Sequence, residues 1–110
     1  MLHIVLFKFD AGKFAEEFPG NACQEALESM RQANIPGLLE VHMNAKNITP
    51  WQGYQDASRG YTHALVSRHM NASALRIYAE HPAHKALQGR LLKCVVKPPL
   101  RMELDIYSRL

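Results

Sequence analysis

Between Leu2 and Phe9 every position except His3 and Lys8 is apolar. The run is rich in β-formers and predicts a strand. Successive side chains point to opposite faces, so His3, Val5, Phe7 and Phe9 share one face and Leu2, Ile4, Leu6 and Lys8 the other. Asp10 to Gly20 reads as a connector with a helical turn at Phe14 to Phe18. Asn21 is placed as an N-cap. The helix behind it runs to about Ala33, with Ala22, Ala26, Met30 and Ala33 as its apolar stripe and Cys23 and Leu27 beside it. Ile35-Pro36-Gly37 ends it.

Leu38 to Lys46 predicts a second strand. Asn47 to Gly60 holds Pro, two Gly, Asn, Asp and Ser and reads as a loop. Tyr61 to His69 predicts a third strand, with Tyr61, His63, Leu65 and Ser67 on one face and Thr62, Ala64, Val66 and Arg68 on the other. Asn71 caps a short helix from Ala72 to about Glu80. Pro82 suits the first position of another helix, where its missing N–H costs nothing. That helix runs to about Cys94, Pro98-Pro99 breaks it, and Leu100 to Tyr107 predicts the last strand.

The order β-α-β-β-α-β is that of a ferredoxin-like fold. The class is α+β, with one domain over residues 1–110 and helices on one face of a four-stranded antiparallel sheet. The first strand is apolar on both faces, and the domain's own helices cover only one. Leu2, Ile4, Leu6, Ala64 and Val66 are then left on an exposed apolar patch, which monomers rarely tolerate. A second copy stacked sheet on sheet removes it, so the expectation is a symmetric homodimer.

Hydrophobic residues are 47% of the chain and charged residues 21%, which fits a soluble globular domain. No apolar run approaches the ~20 residues that span a bilayer. The apolar N-terminal stretch is too short for a signal peptide and is broken by Lys8. The expected location is the cytoplasm, and there Cys23 and Cys94 are expected to be free thiols. Between His81 and Met102 lie Lys85, Arg90, Lys93, Lys97 and Arg101 with no acid. Such a segment serves as a solvated face or attracts an anionic partner. It lacks the interleaved aromatics of a nucleic-acid site, so nucleic acid is not expected.

Four stretches together carry a resemblance: HIVLFKF at His3 to Phe9, IPGLLEV at Ile35 to Val41, GYTHALV at Gly60 to Val66, and YAEHPAHKAL at Tyr78 to Leu87. In this order they resemble the stress-responsive dimeric α/β-barrel (Dabb) domain family over essentially the whole chain. The resemblance implies a ferredoxin-like protomer whose sheet pairs with a second sheet into a dimeric α/β barrel. The family includes stress-associated proteins. It also includes a plant polyketide cyclase branch that forms olivetolic acid by intramolecular aldol condensation. That branch implies Tyr78 and His84 as the active pair, and His3 and His63 as pocket histidines. Phe7 and Leu87 are placed at the same pocket. The loop NITPWQGYQDASRG, the stretch from Ser67 to Asn71, and Lys85-Ala86-Leu87 depart from the cyclase, so its substrate does not transfer.

Two readings of this chemistry stand side by side. In one, His84 takes a proton α to a carbonyl, while Tyr78 hydrogen-bonds the oxygen on which charge develops. The pocket holds a small, partly apolar molecule, and the activity is of cyclase or lyase type. In the other, His81 caps the helix, His84 packs, and the protein is a non-catalytic stress-associated or interaction protein. His3 and His63 divide in the same way, between pocket lining and hydrogen-bonded core. His81 and His84 have a spacing that can bring two imidazoles together. Pro82 puts His81 off the helix, however, and no acidic or cysteine partner lies near, so no metal is expected. No dinucleotide, P-loop or nucleophile-elbow motif is present, and no cofactor is expected.

Overall fold

The computed structural model describes residues 1–44 and 47–105. The elements are β1 (Leu2–Phe7), α1 (Ala11–Glu17), α2 (Ala22–Gln32), β2 (Leu38–Met43), β3 (His63–His69), α3 (Ala72–Glu80), α4 (Pro82–Leu92) and β4 (Leu100–Leu104). The four strands form one sheet in the order β2-β3-β1-β4, with every pair antiparallel. This is the ferredoxin-like arrangement. The core fills the space between sheet and helices, built around Phe7, Leu27, Met30, Val41, Leu65, Tyr78 and Leu91.

The starts of α1, α3 and α4 have local causes. Asn71 Oδ1 accepts from Ala74 N at 2.9 Å and opens α3. Pro82 stands in the first turn of α4, behind His81 as the cap. The connector after β1 is more ordered than its sequence pattern indicates. It forms α1, with the Asp10 carboxylate accepting from Lys13 N at 2.9 Å. No residue of α1 is fully buried, so hydrophobic periodicity could not reveal it. Asn21 precedes α2 without a side-chain cap bond, and the buried stripe of α2 is Cys23, Leu27 and Met30. Ala22 and Ala26 flank that stripe, half-buried, and Ala33 is exposed at the C-cap.

β1 stops at Phe7. Beyond it, Thr62 Oγ1 accepts from Phe9 N and Phe9 makes one isolated bridge with Val95. β3 begins at His63, two residues later than the pattern indicates. β2 ends at Met43, and the expected extension through Lys46 lies partly outside the described residues. The expected end of β4 at Tyr107 also lies outside them. Among the described residues no helix is long and apolar enough to cross a membrane. Cys23 and Cys94 are both free and buried.

The strand register separates two faces. Ile4 stands opposite Val66 and Met102, Leu2 opposite Leu104, and Leu6 opposite Ala64 and Leu100. These apolar residues share the face away from the helices, where Leu100 and Met102 are more than half exposed. On the helix side, β4 contributes two charged residues, Arg101 and Glu103, opposite Val5 and His3.

Candidate functional site

A cavity of about 600 Å³ lies between the helix-side face of β1, β3 and β4 and the helices α3 and α4. That volume suits a small organic molecule. Val5, Phe7, Leu65, Leu87 and Leu91 supply its apolar wall. His3, Tyr78, His84, Arg76, Arg101 and Glu103 supply its polar groups.

Tyr78 is on the buried face of α3 and only 1% exposed. Its hydroxyl has no hydrogen-bond partner among the described residues. Burial pushes the phenol up to about 12, against a smaller downward pull from the neighbouring Ser67 hydroxyl. The phenol therefore stays protonated at neutral pH and acts as a donor. A buried donor without a partner is costly, and such a group marks a place where a ligand or water completes the bonding.

His84 sits in the first turn of α4, with its ring centroid 4.3 Å from that of Tyr78. Its Nδ1 lies 3.2 Å from the Ala79 carbonyl. A carbonyl only accepts, so Nδ1 carries the proton and Nε2 presents a lone pair. Burial holds this imidazole below the ordinary 6.5, with the nearby His3, His81 and Lys85 adding to the shift. It is neutral at neutral pH, as a general base must be.

His3 Nδ1 pairs with Glu103 Oε1 at 3.1 Å, and the same oxygen forms an ion pair with Arg101 Nε at 3.2 Å. The carboxylate fixes the ring of His3 at the cavity wall. Burial still lowers the imidazole's pKa overall.

Of the residues expected at the pocket, Tyr78, His84, His3, Phe7 and Leu87 line this cavity. His63 does not. It faces the helix side, opposite Phe7. There the stacked rings of Phe7 and Phe9 stand between it and the cavity, and His63 packs on Phe9 and Phe14 at about 5.0 Å from each. Its Nδ1 is bonded to Thr62 Oγ1 at 2.8 Å, so half-buried His63 packs among these aromatic rings and away from the cavity lining.

Sequence reasoning missed a second buried histidine. His69 is 1% exposed and its ring centroid is 4.7 Å from Tyr78. Its Nε2 meets Ser67 Oγ at 2.8 Å. Burial holds its imidazole down to about 4, with His3, the N-terminal ammonium and His84 adding to the effect. Continuing the strand alternation from Leu65 through Ser67 to His69 would have found it. The same alternation applied to β4 would have found Arg101 and Glu103.

The basic segment is not one open patch. Arg90 and Lys93 both pair with Glu17, and the Arg90 guanidinium lies over the Phe18 ring. The Lys97 ammonium lies over Tyr61, and Arg101 pairs with Glu103. Among the described residues no group of three or more His, Cys, Asp or Glu is arranged to hold a metal ion.

The fold and cavity define a ferredoxin-like protomer with a pocket of small-molecule size. A family model of the stress responsive A/B barrel domain (Dabb) matches residues 1–107, and the chain belongs to that family. No curated protein matches it. Among solved structures it is similar to an Arabidopsis thaliana protein, with 21% identity, a TM-score of 0.71, and 99% and 97% of the two chains covered. It is similar to a dimeric ferredoxin-like protein of unknown function from Jannaschia sp. CCS1, with 21% identity, a TM-score of 0.70, and 96% and 97% covered. It is also similar to a hydroxynitrile lyase from Passiflora edulis, with 14% identity, a TM-score of 0.72, and 98% and 95% covered. At these identities the likeness is one of fold.

Proposed function

We propose that the chain acts as a homodimer in which each protomer binds a small, partly apolar carbonyl compound. Tyr78 and His84 then carry a lyase- or cyclase-type proton transfer on that compound. One observation carries this reading. The two rings meet at the cavity wall with complementary protonation: His84 Nδ1 is committed to Ala79, its Nε2 is a free base, and the Tyr78 hydroxyl is an unpaired donor.

His84 Nε2 removes the proton α to the carbonyl. Tyr78 donates to the carbonyl oxygen as negative charge develops there, which is where a preorganised donor lowers the barrier. Val5, Phe7, Leu65 and Leu87 hold the apolar part of the substrate, and His3 lines the polar end. The reading uses no metal, cofactor or nucleic acid. The Passiflora edulis enzyme supports it in one respect only, since its fold hosts a lyase.

The dimer reading rests on the uncovered apolar face of β1, β3 and β4. The dimeric ferredoxin-like proteins of similar fold support it. We place the protein in the cytoplasm, where the buried free thiols of Cys23 and Cys94 fit a reducing compartment.

A non-catalytic, stress-associated role is favoured by a different observation. The His81 cap and the His84–Ala79 bond knit α3 to α4, so both histidines also serve the fold.

Native mass spectrometry of freshly purified protein tests the assembly and the pocket together. The expected result is the mass of two chains, with a small organic molecule retained or taken up from a panel of β-dicarbonyl compounds. A monomer overturns the dimer. A dimer that takes up none of the panel favours the non-catalytic reading.

A further inference from the structure

The mechanism above leaves Ser67 and His69 unused, yet both are buried polar side chains, at 0% and 1% exposure. Two buried polar atoms among the described residues lack partners: His69 Nδ1 and the Tyr78 hydroxyl. Both belong to side chains beside Ser67.

The 2.8 Å contact between Ser67 Oγ and His69 Nε2 can be made in two ways. If the Ser67 O–H donates to Nε2, the proton of the neutral imidazole is on Nδ1. That buries an N–H with no acceptor. If Nε2–H donates to Ser67 Oγ, the unpartnered atom is a bare lone pair. Buried orphaned N–H groups are much rarer than under-used acceptors. The second arrangement also frees the Ser67 proton, and the neighbouring Tyr78 hydroxyl oxygen is without a partner among the described residues.

We propose that Ser67 and His69 are positioning residues for Tyr78. His69 Nε2–H donates to Ser67 Oγ, Ser67 O–H donates to Tyr78 Oη, and the Tyr78 O–H is thereby directed into the cavity. The chain of donors has one sense. It makes Tyr78 an acceptor on its protein side and a donor on its cavity side. In the opposite sense, Tyr78 would donate to Ser67 and have nothing to offer a carbonyl oxygen. The inference rests on reading Tyr78 as the oxyanion donor and says what sets its direction. Polarisation along such a chain also strengthens the terminal donor.

Two measurements test this, and neither needs turnover. The first is long-range proton–nitrogen NMR of the histidines, with His69 assigned by its loss in His69→Gln. A protonated Nε2 and a bare Nδ1 are expected, and a protonated Nδ1 overturns the proposal. The second is the Raman doublet of Tyr78, isolated by subtracting the Tyr78→Phe spectrum, with and without Ser67→Ala. Ser67→Ala is expected to shift the doublet towards a phenol that accepts no hydrogen bond. An unchanged doublet overturns the proposal. If Ser67→Ala does not fold, the NMR measurement on the unaltered protein still decides. A protein without proton-transfer activity can pass both tests, so failure here and failure of the proposed function are separate results.

Discussion

His84 lies against Tyr78, with ring centroids 4.3 Å apart, because a single residue between them ends one helix and starts the next. His81 is the C-cap of α3, and its Nδ1 accepts from Ala83 N at 3.0 Å to cap α4. The turn it makes folds α4 back so that His84 reaches the Tyr78 ring. His81→Ala should therefore cost about 1 kcal/mol, the usual cost of a lost N-cap. His81→Asn, a stronger cap, should recover it. Thermal melts of the three proteins check this.

The buried histidines set how stability depends on pH. His69 is held at about 4, and His3 and His84 are lowered in the same direction, all mainly by burial. Unfolding returns each to the ordinary value of 6.5. Between these values the unfolded chain binds more protons than the folded one, so stability is complete above 6.5 and is lost as pH falls towards about 4. Each such group contributes a slope of at most about 1.4 kcal/mol per pH unit. Urea unfolding at about pH 7 and about pH 4.5 should show this loss, and His69→Gln should reduce it.

Gly37 holds β2 against α3. Its φ is +79°, and a Cβ there would run into the Cβ of Ala74. Two penalties then act together, a left-handed backbone and a packed neighbour. Gly37→Ala should destabilise the protein by about 1–3 kcal/mol. A chemical denaturation midpoint equal to that of the parent would contradict this.

On the proposed dimer reading, the outer face of the sheet carries the assembly. Ile4 stands between Val66 and Met102 at its centre. Ile4→Glu places a charge where two apolar faces meet, and should give a folded monomer by sedimentation. A dimer that persists would show that another surface makes the contact.

Much of the fold was legible in the chain because its signals are local. The two-faced β1, the Asn71 cap and the Pro82 helix start are each carried by a few consecutive residues. α1 was legible only in part, since it is anchored by Asp10 and half-buried Phe14 and has no buried stripe. The site was less legible than the fold. Strand alternation put His63 on the same face as His3, which is correct. It could not show that Phe7 and Phe9 would stack and close His63 off from the cavity, because that depends on rotamers. The charges of the basic segment looked unpaired because Glu17, which pairs with both Arg90 and Lys93, lies more than seventy residues away in sequence.

The central claim is that His84 is a base and Tyr78 a donor to one bound carbonyl compound. The direct measurement is deuterium uptake from heavy water at the α-carbon of a bound β-dicarbonyl compound, followed by proton NMR. Exchange by the unaltered protein should rise with pH to a plateau. The rising limb should lie below 6.5, because burial lowers His84 and its neutral form is active. His84→Ala should reduce the rate about 10²- to 10⁴-fold, and Tyr78→Phe should reduce it with the limb unmoved. Both variants should remain folded dimers. Exchange that survives His84→Ala, or a limb well above 6.5, would contradict the account.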